Sequence, residues 1–79
     1  MTDEDKNKLI EIFQIVLDLP DDQDVTDLSR LSSEKWDSLA QVSMISAIES
    51  VYGVVLHSNY RDSLTSFKSA CLILDEVIS

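Results

Sequence analysis

The sequence is almost empty of residues that interrupt a helix: Gly53 and Pro20 are its only glycine and proline. With so little punctuation, long helices are expected. Cys71 is the only cysteine, which excludes an internal disulfide and a cysteine-based zinc site. Basic residues are scarce, six against fifteen acidic ones, for a formal net charge of −9. Nucleic acid and anionic membrane surfaces are disfavoured as partners, because both need clustered Lys and Arg. Basic surfaces on other proteins fit that charge better, through long-range steering. No apolar stretch approaches the roughly 18 residues of a membrane span, so no stable membrane insertion is expected. The opening "MTDEDKNK" lacks the basic start and apolar run of a secretion signal, and the chain is expected in the cytoplasm.

What is present can build a core. Hydrophobic residues make up 44% of the 79 residues and charged ones 27%, the balance of a folded chain. A chain this short is expected to form one domain over residues 1–79, and as a highly charged small domain to be a monomer. Its core supplies only about 3–5 kcal/mol. A deep cavity with its own catalytic apparatus does not fit such a core. The chain reads as a protein that other proteins act upon, with no catalytic residue and no metal ligand of its own.

"TDED" at residues 2–5 is a capping box ahead of "KNKLIEIFQIVLDL". Leu9, Phe13, Val16 and Leu17 share a face with Ile12 beside it, which predicts a first helix over 3–18, stopped by Pro20. The stretch "PDDQDVTDLSRLSSEKW" is too long for an ordinary connection between helices. It is expected to pin itself to the bundle through Leu28, Leu31 and Trp36, with one helical turn around residues 27–32. Its acids do not make an EF-hand. Asp22 and Asp24 match the first two ligand positions, but Asp27 stands where glycine is needed and Ser33 where glutamate is needed.

A second helix is predicted over 37–52, closed by Gly53 as a left-handed cap. A short element follows around "SNYRDS". The last helix, about 66–78, starts at Thr65 or Ser66 and carries Phe67, Ala70, Cys71, Leu74, Val77 and Ile78 in one stripe. Cys71 lies mid-stripe and reads as a small buried hydrophobe.

The tripeptide Asp-Ser-Leu occurs twice, at 37–39 and at 62–64. Ser38 opens the second helix behind the long loop, where free first-turn N–H groups favour an attached phosphate. On position alone a second reading stays open, in which Asp37 or Ser38 merely caps the helix. Nucleophilic catalysis by Ser38 is not supported. It needs an oriented base, and the only histidine, His57, lies beyond the far end of a helix about 24 Å long. Ser63 sits in a short connection and reads as structural.

Laid out this way, the sequence resembles the acyl carrier protein family over nearly the whole chain, most closely from Trp36 to Ile78. The stretch "WDSLAQVSMISAIESVYGVVL" supplies Asp37, Ser38, Leu39, Val42, Ile45, Ile48, Glu49, Tyr52 and Leu56 in the family's pattern. "DSLTSFKSACLILDEVI" looks like the end of the family's third helix and the opening of its fourth. The resemblance implies an all-α four-helix bundle of acyl-carrier type, with three longer helices, one short one, and a long loop between helices 1 and 2. It implies that Ser38 carries 4′-phosphopantetheine, installed from coenzyme A by a phosphopantetheinyl transferase. The thiol of that arm would hold cargo as a thioester for acyl-loading and acyl-transfer enzymes. Partner recognition would fall to Trp36, Asp37, Leu39, Ser43, Ser46 and Glu49, and room for an apolar cargo between the second and third helices.

One departure stands out. Ser43, Ser46 and Ser50 fall within about 40° of Leu39 around the second helix, where carriers of fatty acid synthesis place acids. The negative charge lies instead in residues 18–27. That difference, with Trp36 before the tripeptide, points to a dedicated pathway. An aminoacyl or peptidyl carrier, and an unmodified acidic interaction module in which Ser38 only caps, remain as alternatives.

Overall fold

In the computed structural model, which describes residues 2–78, Thr2 starts the chain's first helix, α1 (Asp3–Val16). The capping box is reciprocal: Asp5 N–H donates to Thr2 Oγ1 at 3.2 Å, and Thr2 N–H to Asp5 Oδ2 at 3.3 Å. At the other end Leu19 N–H reaches Gln14 O at 2.8 Å and Asp18 N–H reaches Ile15 O at 3.3 Å. This is a Schellman closure, and it forces Asp18 into the left-handed region with φ 52. An L-residue with a negative charge is unfavourable there twice over, through backbone sterics and through the helix dipole. Asp18→Gly is expected to raise stability by about 1 kcal/mol. A urea midpoint unchanged or lowered in that variant would refute this account of the turn.

Three more helices follow: α2 (Ser38–Tyr52), the short α3 (Ser58–Ser63) and α4 (Phe67–Ile78). Three longer helices and one short one, with a long loop after the first, match the architecture expected from sequence. Gly53 closes α2 at φ 66, as predicted. Ser66 and Ser69 begin α4 by exchanging N–H to Oγ bonds, each of 3.0 Å. The helices α1 and α2 run antiparallel. Tyr52 near the end of α2 donates its hydroxyl to Asp5 O at 2.6 Å, while Trp36 before α2 meets Phe13 late in α1, ring centroids 5.3 Å apart.

The long loop differs from expectation. No helical turn forms at 27–32. The segment instead pairs with the start of α4, Arg30 N–H donating to Thr65 O at 2.8 Å and Phe67 N–H to Leu28 O at 3.0 Å. That pairing turns Leu31 outward, fully exposed, so the loop is pinned by Val25, Leu28 and Trp36. The same path divides the acidic stretch. Asp24 and Asp27 lie beside Lys6 and Lys68: bonds from the Thr26 hydroxyl and N–H hold the Asp24 carboxyl low, with help from Lys6, and Asp27 lies 4.0 Å from Lys68.

The core joins Leu9, Phe13 and Leu17 of α1 and its cap to Met44 and Ile48 of α2 and to Phe67 and Leu74 of α4. On α4 the buried stripe takes in Ile73, and Cys71 is half-buried, not a core residue. Burial pushes its thiol up, Lys6 opposing and Asp75 adding to the shift, so thiolate chemistry is not favoured.

Tyr52 reports on the α1–α2 contact. Burial first, and then the neighbouring Asp5 charge, push its hydroxyl up to about 12 from an ordinary 10.0. The folded chain therefore holds this proton more tightly than the unfolded one. The contribution is complete below pH 10 and is lost as pH rises towards about 12. Alkaline unfolding should follow that window, and Tyr52→Phe should flatten it. Identical pH profiles for the two proteins would contradict the linkage.

Candidate functional site

The start of α2 settles which side chain caps it. Asp37 is the N-cap: its Oδ1 accepts Ala40 N–H at 2.9 Å, and its carbonyl accepts Gln41 N–H, also at 2.9 Å. Ser38, the first helical residue, is thereby released from capping. It is exposed, and among the described residues no hydrogen bond holds its Oγ. The N–H groups of Ser38 and Leu39 keep the positive end of the helix open to an anion attached at that oxygen. Ser63 stands differently: its Oγ donates to Asn59 O at 3.0 Å and finishes the last turn of α3.

Beyond Ser38, α2 shows solvent a strip of Leu39, Val42, Ser43, Ser46 and Ser50. Leu39 is 76% exposed and Val42 61%, large values for aliphatic side chains. The expected recognition residues Leu39, Ser43 and Ser46 thus share one accessible face with Asp37 and Ser38 at its head.

Two others of that set do not. Trp36 is 2% exposed, stacked edge-on against Phe13, with Nε1–H donating to Gln41 Oε1 at 2.7 Å. A side chain so enclosed cannot touch a partner, and the recognition role expected for it is withdrawn. Glu49 is turned towards α3: its Oε2 accepts Leu56 N–H at 2.8 Å and lies 3.9 Å from Arg61 Nη2. Its carboxylate braces the connection after α2, so it is not a free charge on the recognition strip.

A residue that sequence reasoning passed over ties these parts together. Gln41 accepts the Trp36 indole proton and donates its Nε2–H to Leu64 O at 3.1 Å and Arg61 O at 3.2 Å. Gln41 and Glu49 therefore hold α3 from both ends, and α3 contains no buried residue of its own. Its Tyr60 faces Glu76 of α4, whose charge raises the Tyr60 hydroxyl. A groove of about 560 Å³ runs between α3 and α4, lined in part by Tyr60, Leu72 and Ile73. The α2–α3 seam, where an apolar cargo was expected, is spanned by the polar braces. The His57 side chain makes no capping bond to α3. Among the described residues no group of acids, histidines and cysteines is arranged to hold a metal ion, and no helix is long and apolar enough to cross a membrane.

No family model, curated protein or solved structure matches the chain.

Proposed function

We propose that this protein is a carrier whose Ser38 bears 4′-phosphopantetheine and holds an acyl cargo for a dedicated pathway. The observation that carries the reading is the division of labour at the head of α2. Asp37 takes the capping bond, and the adjacent Ser38 hydroxyl is exposed and unengaged. The fit to the group is favourable. An exposed Oγ admits a phosphodiester, the open end of the helix favours its negative charge, and the Leu39 and Val42 side chains offer an apolar shelf beside it. When attached, the group supplies a terminal thiol on which cargo rides as a thioester. The chain's own residues display the hydroxyl, hold the helix end rigid and give partner enzymes a surface to grip. The nearly uncharged α2 strip supports a dedicated pathway over general fatty acid synthesis. Equal exchange with a fatty-acid-pathway carrier in an elongation assay would count against that refinement.

The test is intact mass after incubation with coenzyme A, magnesium and a broad-specificity phosphopantetheinyl transferase. The parent and Ser63→Ala are expected to gain one phosphopantetheine, and Ser38→Ala none, with all three keeping the same helical content. No gain on a folded parent would overturn the carrier reading in favour of an acidic interaction module. Cargo released from protein isolated from native extract separates an acyl carrier from an aminoacyl one.

A further inference from the structure

The carrier reading leaves open what kind of cargo Ser38 holds, and the seam between α2 and α3 bears on it. Gln41, one helical turn after Ser38, reaches across that seam. Its amide oxygen and both amide hydrogens are engaged: Oε1 accepts the Trp36 indole proton at 2.7 Å, and Nε2 donates to Leu64 O at 3.1 Å and to Arg61 O at 3.2 Å. Further along α2, Glu49 closes the same seam by accepting Leu56 N–H, with Arg61 beside it. Positions 41, 45 and 49 fall on one face of the helix, so Ile45 lies between the two polar groups. Ile45, Ile48, Leu56 and Leu64 are all buried. A chain entering the seam from Ser38 meets Gln41 before Ile45 or Ile48.

We propose, resting on the carrier reading, that Gln41 bars aliphatic chains from the α2–α3 seam, so that the cargo on Ser38 is a short or polar acyl group carried outside the bundle. An aliphatic chain gains from burial in proportion to the methylenes it takes out of water. To reach that burial here it must part the Gln41 amide from its partners, and it offers no hydrogen bond in return. The Trp36 side chain is enclosed and Leu64 is buried, so the indole N–H and the Leu64 carbonyl would be left with neither water nor partner. A site rejects a ligand most sharply when binding leaves its buried polar groups unpaired. A short acyl group has few methylenes to bury and gains nothing by entering. The groove between α3 and α4 does not replace the seam. Asn59, Ser63, Asp75 and Glu76 edge it, polar groups that an aliphatic chain would strip of water.

The test loads the parent and two variants from acetyl-, malonyl- and octanoyl-coenzyme A with a broad-specificity phosphopantetheinyl transferase. Two quantities are then read: the rate at which hydroxylamine takes each acyl group and frees the arm's thiol, relative to the same acyl-coenzyme A, and the urea midpoint. For the parent the relative rate is expected to stay within about twofold across the three cargoes, and the midpoint not to rise with octanoyl. Gln41→Met keeps the length and helix propensity of the side chain but none of its hydrogen bonds. It is expected to slow octanoyl cleavage at least about fivefold and to leave acetyl cleavage as in the parent. Gln41→Leu, also a good helix former, should do the same. Loss of a merely structural contact would lower the urea midpoint without sorting cargoes by length. Octanoyl cleavage in the parent slowed about fivefold or more, which is the protection expected of a buried chain, would overturn the proposal. Folded Gln41→Met and Gln41→Leu proteins that treat the three cargoes alike would overturn it too. The parent's own rates decide even where a variant does not fold. A parent that takes an arm from none of the three thioesters removes the carrier reading itself, an outcome distinct from any order of cleavage rates.

Discussion

Phe13→Ala is expected to leave the chain largely unfolded at room temperature. Phe13 is fully buried and is the ring on which the bundle converges, edge-on to Trp36 at 5.3 Å and to Phe67 at 5.1 Å. Those contacts join α1 to the end of the long loop and to the start of α4. Removing the ring costs about 3–5 kcal/mol in transfer and cavity terms, and each lost aromatic pair adds about 0.5–1.5 kcal/mol. A core of this size supplies about the same total, about 3–5 kcal/mol, so no margin is left. Far-UV circular dichroism and Trp36 fluorescence together check it: helix content should fall and the indole should become solvated. Phe13→Leu, which keeps most of the volume, should remain folded with a lowered urea midpoint. A Phe13→Ala protein that unfolds cooperatively at a midpoint near the parent's would mean the three elements are joined elsewhere.

The effect of that one ring also explains which parts of the fold were legible in the sequence. Helices α1, α2 and α4 each advertise themselves locally, by the Thr2–Asp5 box, the Asp37 and Ser66 caps, Gly53 and apolar positions three and four apart. Local chemistry is in the sequence, so their bounds came within about two residues of those observed. The long loop is different because tertiary pairing decides it. The serines at 29 and 32 and at 66 and 69 make matching short hydrogen-bonded turns, and the chain bridges at Ser29 and Ser66. Nothing in the local pattern of "DLSRLS" distinguishes that from one helical turn, so the sequence points Leu31 towards the bundle while the pairing leaves it in solvent.

The site divides along the same line. Asp37, Ser38 and the exposure of Leu39, Ser43 and Ser46 follow from helix phase alone once the start of α2 is fixed. Trp36 and Glu49 could not be read this way. Each has a polar group that finds its partner inside the fold, on Gln41 Oε1 and on Leu56 N–H. A buried indole N–H or a braced carboxylate looks in sequence just like a surface one. Gln41 was missed for the same reason: an amide on a helix gives no sign that it will meet a ring on one side and two carbonyls on the other.

The braces lead to the second large effect, on α3. Glu49→Ala should detach this helix while the rest of the bundle stays folded. The variant leaves Leu56 N–H without its carboxylate, at a cost of about 1–3 kcal/mol, and it also loses the contact to Arg61, which itself donates Nε–H to Leu56 O at 2.8 Å. No residue of α3 is fully buried, and Tyr60 is its one side chain packed against the core, so the apolar contact that opposes the loss comes from Tyr60 and the flanking Leu56 and Leu64. Backbone amides of residues 58–63 should exchange at least about tenfold faster, each tenfold corresponding to about 1.4 kcal/mol of local stability. Amides in α1 and α4 should keep their protection. Glu49→Gln retains an acceptor and should fall between parent and alanine. If α3 kept its protection in Glu49→Ala, the contact of Tyr60 with Glu76 would be the dominant anchor and the braces secondary.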